Sequence, residues 1–146
     1  MRESEVYQKV KQRLPHFSID RIENTIVAGT PDAVLTHVTG MMWAELKVQS
    51  HFNVLHDVRA SQQTWMWHKL KKGLGHKFCI ISGHERKQTL DIWRVLLADK
   101  GDTAAVAGMR VEEWCSFKLG GYGKHDVSFE VSLLQLMHLR GIRPEV

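Results

Sequence analysis

Cysteine is scarce in this sequence. The 146-residue chain has two, Cys79 and Cys115. They lie far apart and in no metal-ligand spacing, which excludes a disulfide framework and fits free thiols in a reducing compartment. No apolar run approaches the twenty or so residues that cross a bilayer, so no membrane partner is expected. The opening stretch, MRESEVYQKV, has no apolar core of a signal peptide, and a soluble, intracellular protein is expected. Repeats, low-complexity segments and a dividing linker are missing too, so residues 1–146 read as one domain. The nine histidines form no tight cluster; His68 and His76 bracket KLKKGLG, which is no zinc spacing. Acid is missing from one region. Between Arg59 and Lys87 stand seven Lys or Arg and one acid, Glu85, a surplus of 7 − 1 = +6 against +4 for the whole chain. A basic stretch this one-sided suggests a polyanion such as nucleic acid, although a solvated lysine-rich helix has the same composition.

What is present is an alternation of helical and extended patterns. Val6, Val10 and Leu14 recur every four residues, and Pro15 stops the run, so residues 3–14 read as a helix. Residues 19–27 are β-branched and extended. Gly29 and Pro31 punctuate a turn. Residues 32–38 and 41–48 read as two strands joined at Thr39-Gly40, and 49–58 as a polar loop free to close over a substrate or only to connect. Residues 59–73 form a helix with Met66, Leu70 and Leu74 as its stripe, ended by Gly73 and Gly75. HKFCIIS and TLDIWRVLL read as strands, residues 109–115 as a short helix, FKLGGYGKHD as a glycine-rich loop, and 128–140 as a helix with Val131, Leu134 and Leu139 on its apolar side. This order suits an α/β fold with a mixed sheet flanked by helices.

The stretch MMWAELKV, residues 41–48, carries the chemistry. Side chains alternate along a strand, so Met42, Ala44, Leu46 and Val48 face a core while Trp43, Glu45 and Lys47 share the other face. A two-residue loop at Thr39-Gly40 places Lys47 across from Asp32 and Glu45 across from Val34. Asp32 and Glu45 are then diagonal neighbours, roughly 7 Å apart at Cβ. Two carboxylates at that distance can share a divalent cation, and without one they repel and one tends to keep its proton. Magnesium takes oxygen ligands, commonly one or two carboxylates completed by water and phosphate. An ammonium beside it suits hydrolysis of a phosphodiester by water.

GTPD…WAELKV resembles the PD-(D/E)XK nuclease signature, with Pro31-Asp32 and Glu45-Leu46-Lys47 in its places. RIENTIVAGTPD and VRASQQTW are similar to the virus-type replication-repair nuclease (VRR-NUC) branch, in which a glutamine followed three residues later by tryptophan opens the next helix; Gln62 and Trp65 match that spacing. The resemblance covers roughly residues 3–82. It implies a restriction-endonuclease-like core in the order αβββαβ, spanning about 3–97, with residues 100–146 as an extension of unassigned role. It implies Asp32, Glu45 and the main-chain carbonyl of Leu46 as ligands of Mg²⁺ or Mn²⁺, Lys47 as the group that positions the attacking water, and Gln62 (or Gln63) as a helper. It also implies a glutamate on the first helix. Glu3 lies on the inward stripe and Glu5 about 100° off it, so Glu3 is favoured, although the helix dipole alone would reward either.

The implied activity is a structure-selective DNA endonuclease. Small stand-alone relatives of this kind occur in phages and act as homodimers on branched DNA such as Holliday junctions, which would place this chain in a bacterial cytoplasm. The alternatives are a nuclease without junction preference, an RNA-directed enzyme and a DNA-binding module with a decayed site. Candidate phosphate contacts are Arg21, Arg59, Lys69, Lys71 and Lys72; Arg21 has Asp20 and Glu23 as competing partners. Trp65 and Trp67 flank a helix stripe and read as packing residues more readily than as base-stacking platforms.

Overall fold

The structure, a computed structural model, describes residues 1–22, 31–49, 54–72, 77–97, 109–120 and 127–139. Val6 and Val10 are fully buried on one stripe of α1 (Glu3–Arg13), which ends just before Pro15 as the spacing predicts. Six strands follow: β1 (Ser18–Arg21), β2 (Ala33–His37), β3 (Gly40–Val48), β4 (Phe78–His84), β5 (Thr89–Leu97) and β6 (Met109–Lys118). Between β3 and β4 lie a one-turn 3-10 helix (Val54–Asp57) and α2 (Ala60–Lys71), and α3 (Val127–Met137) follows β6. The strands form one sheet in the order β1-β2-β3-β4-β5-β6. Among the described strands only β3 and β4 pair in parallel, and a parallel neighbour requires a crossover, which α2 lies within. The expected α/β class, a mixed sheet flanked by helices, is what the chain forms.

The sheet separates two cores. On one face Leu35, Met42, Ala44, Leu46, Ile81 and Ile92 pack against Val6 and Val10 of α1 and Phe129, Leu133 and Met137 of α3. On the other, Phe78, Ile80 and Val95 meet Met66 and Leu70 of α2 and Val54 and Val58 of the preceding turn, with Trp43 and Trp65 at the rim. Strand β3 is therefore covered on both sides, and Glu45, at 1% exposure, is as buried as Leu46 at 2%.

Several expectations are corrected. Residues 109–115 form a strand and not a helix. A bulge at Ile92/Trp93 leaves Trp114 without a partner between Glu113 and Cys115. Met109 and Val111 consequently face the α2 core while Trp114 and Phe117 face the other, and no single period runs through the segment. Residues 109–120 and 127–139 are also part of the packed structure: β6 completes the sheet and α3 joins the α1 core, so the core is not confined to 3–97. The buried stripe of α3 is Phe129, Leu133, Leu136 and Met137, with Leu134 packed against the same core as expected, while Val131 is 44% exposed. The segment 49–58 is not all open loop, because Val54 is fully buried in the one-turn helix. His51 and Asn53 lie outside the described residues, as do Glu23 and the rest of 23–27, Gly29, Gly73, Leu74, Gly75, His76 and 121–126 of the glycine-rich loop.

Candidate active site

The β2–β3 register differs from the expected one and tightens the site. The pairs are Ala33 with Ala44, Val34 with Trp43 and His37 with Gly40. The turn residues are Val38 and Thr39, not Thr39 and Gly40. Gly40 instead begins β3, where an added Cβ would lie 3.8 Å from both Met137 and His138. Continuing the register by one residue puts Asp32 directly opposite Glu45, a pairing that brings Cβ atoms to about 4.5–5.5 Å. Because the shift is two residues, faces are unchanged: Asp32 still shares its face with Glu45 and Lys47.

Proline and aspartate do separate jobs here. Ile22 N–H donates to the carbonyl of Asp32 at 2.8 Å, so the backbone of Pro31 turns the other way, toward β3. The register places Pro31 opposite Leu46, and Pro31 has no N–H to offer the Leu46 carbonyl. The Leu46 N–H donates to Asp32 Oδ2 at 2.9 Å. A strand residue points its N–H and C=O to the same side, so the Leu46 carbonyl is directed to the side on which Asp32 sits.

Glu45 is the electrostatic centre. Its carboxyl is pushed up from 4.5 to about 10, first by burial, then by a hydrogen bond with Asp32 and by the Asp32 charge; Lys47 pulls it down and Glu3 adds to the rise. Gln62 Nε2 donates to Glu45 Oε1 at 2.9 Å, while no N–H or hydroxyl reaches the buried Glu45 Oε2, so a proton held by Glu45 is what can join it to Asp32. Lys47 Nζ lies 3.9 Å from Glu45 Oε1 and 3.5 Å from Glu3 Oε1. A buried carboxylate oxygen left unmatched is costly unless a cation or proton meets it.

Gln62 serves two ends. Its Oε1 accepts the N–H of Arg59 at 3.1 Å, which ties down the start of α2, and its amide reaches Glu45. Gln63 turns away and donates to the Val58 carbonyl at 2.9 Å. Among the first-helix acids, Glu3 reaches Lys47, whereas Glu5 is exposed on another side of α1. Asp32, Glu45, Leu46, Lys47, Gln62 and Glu3 are thus brought together. Arg21 is not: it pairs with Ala33 and lies 5.2 Å over the Tyr7 ring on the α1 face. Arg59 is exposed at the start of α2. Lys69 stacks on Trp65 at 5.0 Å and Lys71 on Trp67 at 4.6 Å, and Lys72 is exposed at the helix end. Trp65 also packs edge-on against Trp43 and Phe78, a packing role.

A polar row extends the site beyond what sequence reasoning found. Lys47 pairs with Ser82, Ser82 with Asp91, and Asp91 with Ser116. Ser82 is fully buried and accepts from Trp93 Nε1 at 2.8 Å, and Asp91, 4% exposed, accepts from Ser116 Oγ. HKFCIIS reads as apolar throughout, and only the register of β4 on β3 shows where Ser82 falls.

The donor set suits a hard cation: two carboxylates and a main-chain oxygen, with room in its shell for water and phosphate. The unmatched Glu45 Oε2 fits that reading. Among the described residues no three His, Cys, Asp or Glu side chains gather as a metal cluster, and Asp32 and Glu45 are the two described side chains that would hold the ion. No described helix is long and apolar enough to cross a membrane. Both cysteines are free, and burial pushes the Cys79 thiol up to about 12, which makes it unreactive. Compared with family models, curated proteins and solved structures, the chain matches none.

Proposed function

We propose that this chain is a metal-dependent endodeoxyribonuclease of the PD-(D/E)XK kind, with a restriction-endonuclease-like core. One observation carries the reading: Asp32 and Glu45 meet across the β2–β3 ribbon, and the buried Glu45 Oε2 has no N–H or hydroxyl donor, only a proton that it can share with Asp32. Asp32, Glu45 and the Leu46 carbonyl would hold Mg²⁺ or Mn²⁺. When bound, the cation would polarise the phosphate and acidify a water. Lys47, held between Glu3 and Glu45, would orient the attacking water and offset charge growing on the phosphate oxygens. Gln62 fixes Glu45 Oε1 and leaves Oε2 available. The serine beside this group, Ser82, is fully buried and bonded to Trp93 and Gln49, which argues for attack by water over a covalent intermediate.

DNA is the substrate best supported, by the basic stretch from Arg59 to Lys87 and by the likeness of GTPD…WAELKV and VRASQQTW to the VRR-NUC branch. That likeness also supports a homodimer acting on branched DNA, since two sites related by a two-fold axis match the symmetry of a four-way junction. The test is cleavage of a synthetic four-way junction, a flap, plain duplex and matched RNA with and without Mg²⁺. The reading expects magnesium-dependent cuts in DNA, most readily in the junction, and none with Lys47→Ala. Preference for flap or duplex would keep the nuclease and remove junction selectivity. Equal nicking by wild type and Asp32→Ala would leave no role for the site.

A further inference from the structure

A second cluster lies at the far end of the same ribbon. In the turn that joins β2 to β3, Thr39 Oγ1 is 2.8 Å from His37 Nδ1 and 2.8 Å from His138 Nε2. Two imidazole nitrogens from residues 138 − 37 = 101 positions apart in the chain therefore point at one oxygen. The Thr39 backbone N–H donates to His37 Nδ1 at 3.2 Å. A peptide N–H can only donate, so His37 Nδ1 accepts; the one Thr39 hydroxyl proton then goes to it as well, and His138 Nε2–H donates to Thr39 Oγ1, so a metal ion on His138 Nε2 would displace that proton, to Nδ1 or to solvent. Phe17 packs on the His37 ring at 4.9 Å. His138 is anchored by its own N–H to the Leu134 carbonyl at 3.0 Å, at the end of α3. The Thr39 and His138 side chains are open to solvent.

We propose that His37 and His138 form a binding site for a borderline dication of the zinc class, with Thr39 as a further oxygen donor and water completing the shell. Imidazole selects Zn²⁺, Ni²⁺ or Cu²⁺ over Mg²⁺. Zn–N bonds are about 2.0–2.1 Å long, so the two rings would trade their hydrogen bonds to Thr39 for bonds to the ion. The ion would clip the end of α3 to the hairpin whose other end carries Asp32. This site is separate from the Asp32–Glu45 pair in place and in metal preference, and does not depend on the nuclease reading.

The experiment uses the full chain carrying Asp32→Ala, so that the paired carboxylates do not compete for metal. With ZnCl₂ at about ten times its dissociation constant, the melting temperature should rise by about 3–6 °C at pH 7.5. MgCl₂ should give no rise. Adding His138→Ala or His37→Ala should abolish the zinc response, with circular dichroism unchanged. NMR of the parent should show the His37 and His138 ring signals moving together on zinc addition. A full zinc shift retained in both histidine variants would overturn the site, as would no shift in the parent up to millimolar zinc.

Discussion

At Glu45 and Leu46 the two faces of β3 are equally dry and opposite in character. On the α1 side Leu46 is buried among valines, leucines and Phe129, and its burial stabilises the fold. On the α2 side Glu45 is buried to the same degree, and its burial is opposed by desolvation and by Asp32. One strand therefore carries a stabilising residue and a destabilising one at adjacent positions. Buried polar groups that the fold must tolerate are where function is sought first.

The largest expected effect is on chemistry. Asp32→Ala, Glu45→Ala and Lys47→Ala should each lower magnesium-dependent DNA cleavage by about 10²–10³-fold or more, measured by single-turnover nicking, with the fold intact by circular dichroism. Retained cleavage in any of them would break the contrast between the faces.

Stability should respond the other way. Leu46→Ala should cost about 2–5 kcal/mol, read by urea denaturation. Glu45→Gln should cost nothing at pH 4 and should exceed wild type at pH 8 in the absence of metal. The sign follows from linkage. Glu45 has a folded-state pKa raised from 4.5 to about 10, so the folded state holds a proton that the unfolded chain has released. Its contribution is fully present below pH 4.5 and is lost as pH rises toward 10. Glutamine has no proton to lose, so the gap between variant and wild type should widen with pH.

Smaller effects separate neighbours. Gln62→Ala should lower both cleavage and stability, the latter by about 1–3 kcal/mol, because Gln62 bonds Glu45 and the start of α2. Gln63→Ala should lower stability alone, since its side chain serves the Val58 carbonyl. Smallest are the changes on the rim of α2. Lys69→Ala or Lys71→Ala should weaken DNA binding at any sequence and reduce the salt slope by about one each, measured by fluorescence anisotropy across salt concentrations.

Much of this was legible in the residues. The four-residue rhythm of Val6 and Val10, the alternation of MMWAELKV and the Pro15 stop fixed α1 and β3 because local pattern and tertiary burial agree there. Asp32 and Glu45 could be placed on one face because parity survives an even register shift. Their direct opposition could not be read, since it depends on a turn at Val38-Thr39 that the pull of Gly40 toward loops obscured. Strand β6 was illegible because its bulge inverts the alternation midway. Ser82 and Asp91 reach the site row only through strand pairing, which no local window contains.

The central claim is that Asp32 and Glu45 hold one divalent ion in place of a proton. Calorimetric titration of Mn²⁺ at pH 7, in buffers of different ionisation enthalpy, counts the protons released on binding. The account predicts one ion bound with close to one proton released, and loss of that event in Asp32→Ala. Binding of equal strength in Asp32→Ala, or binding that releases no proton, would contradict it.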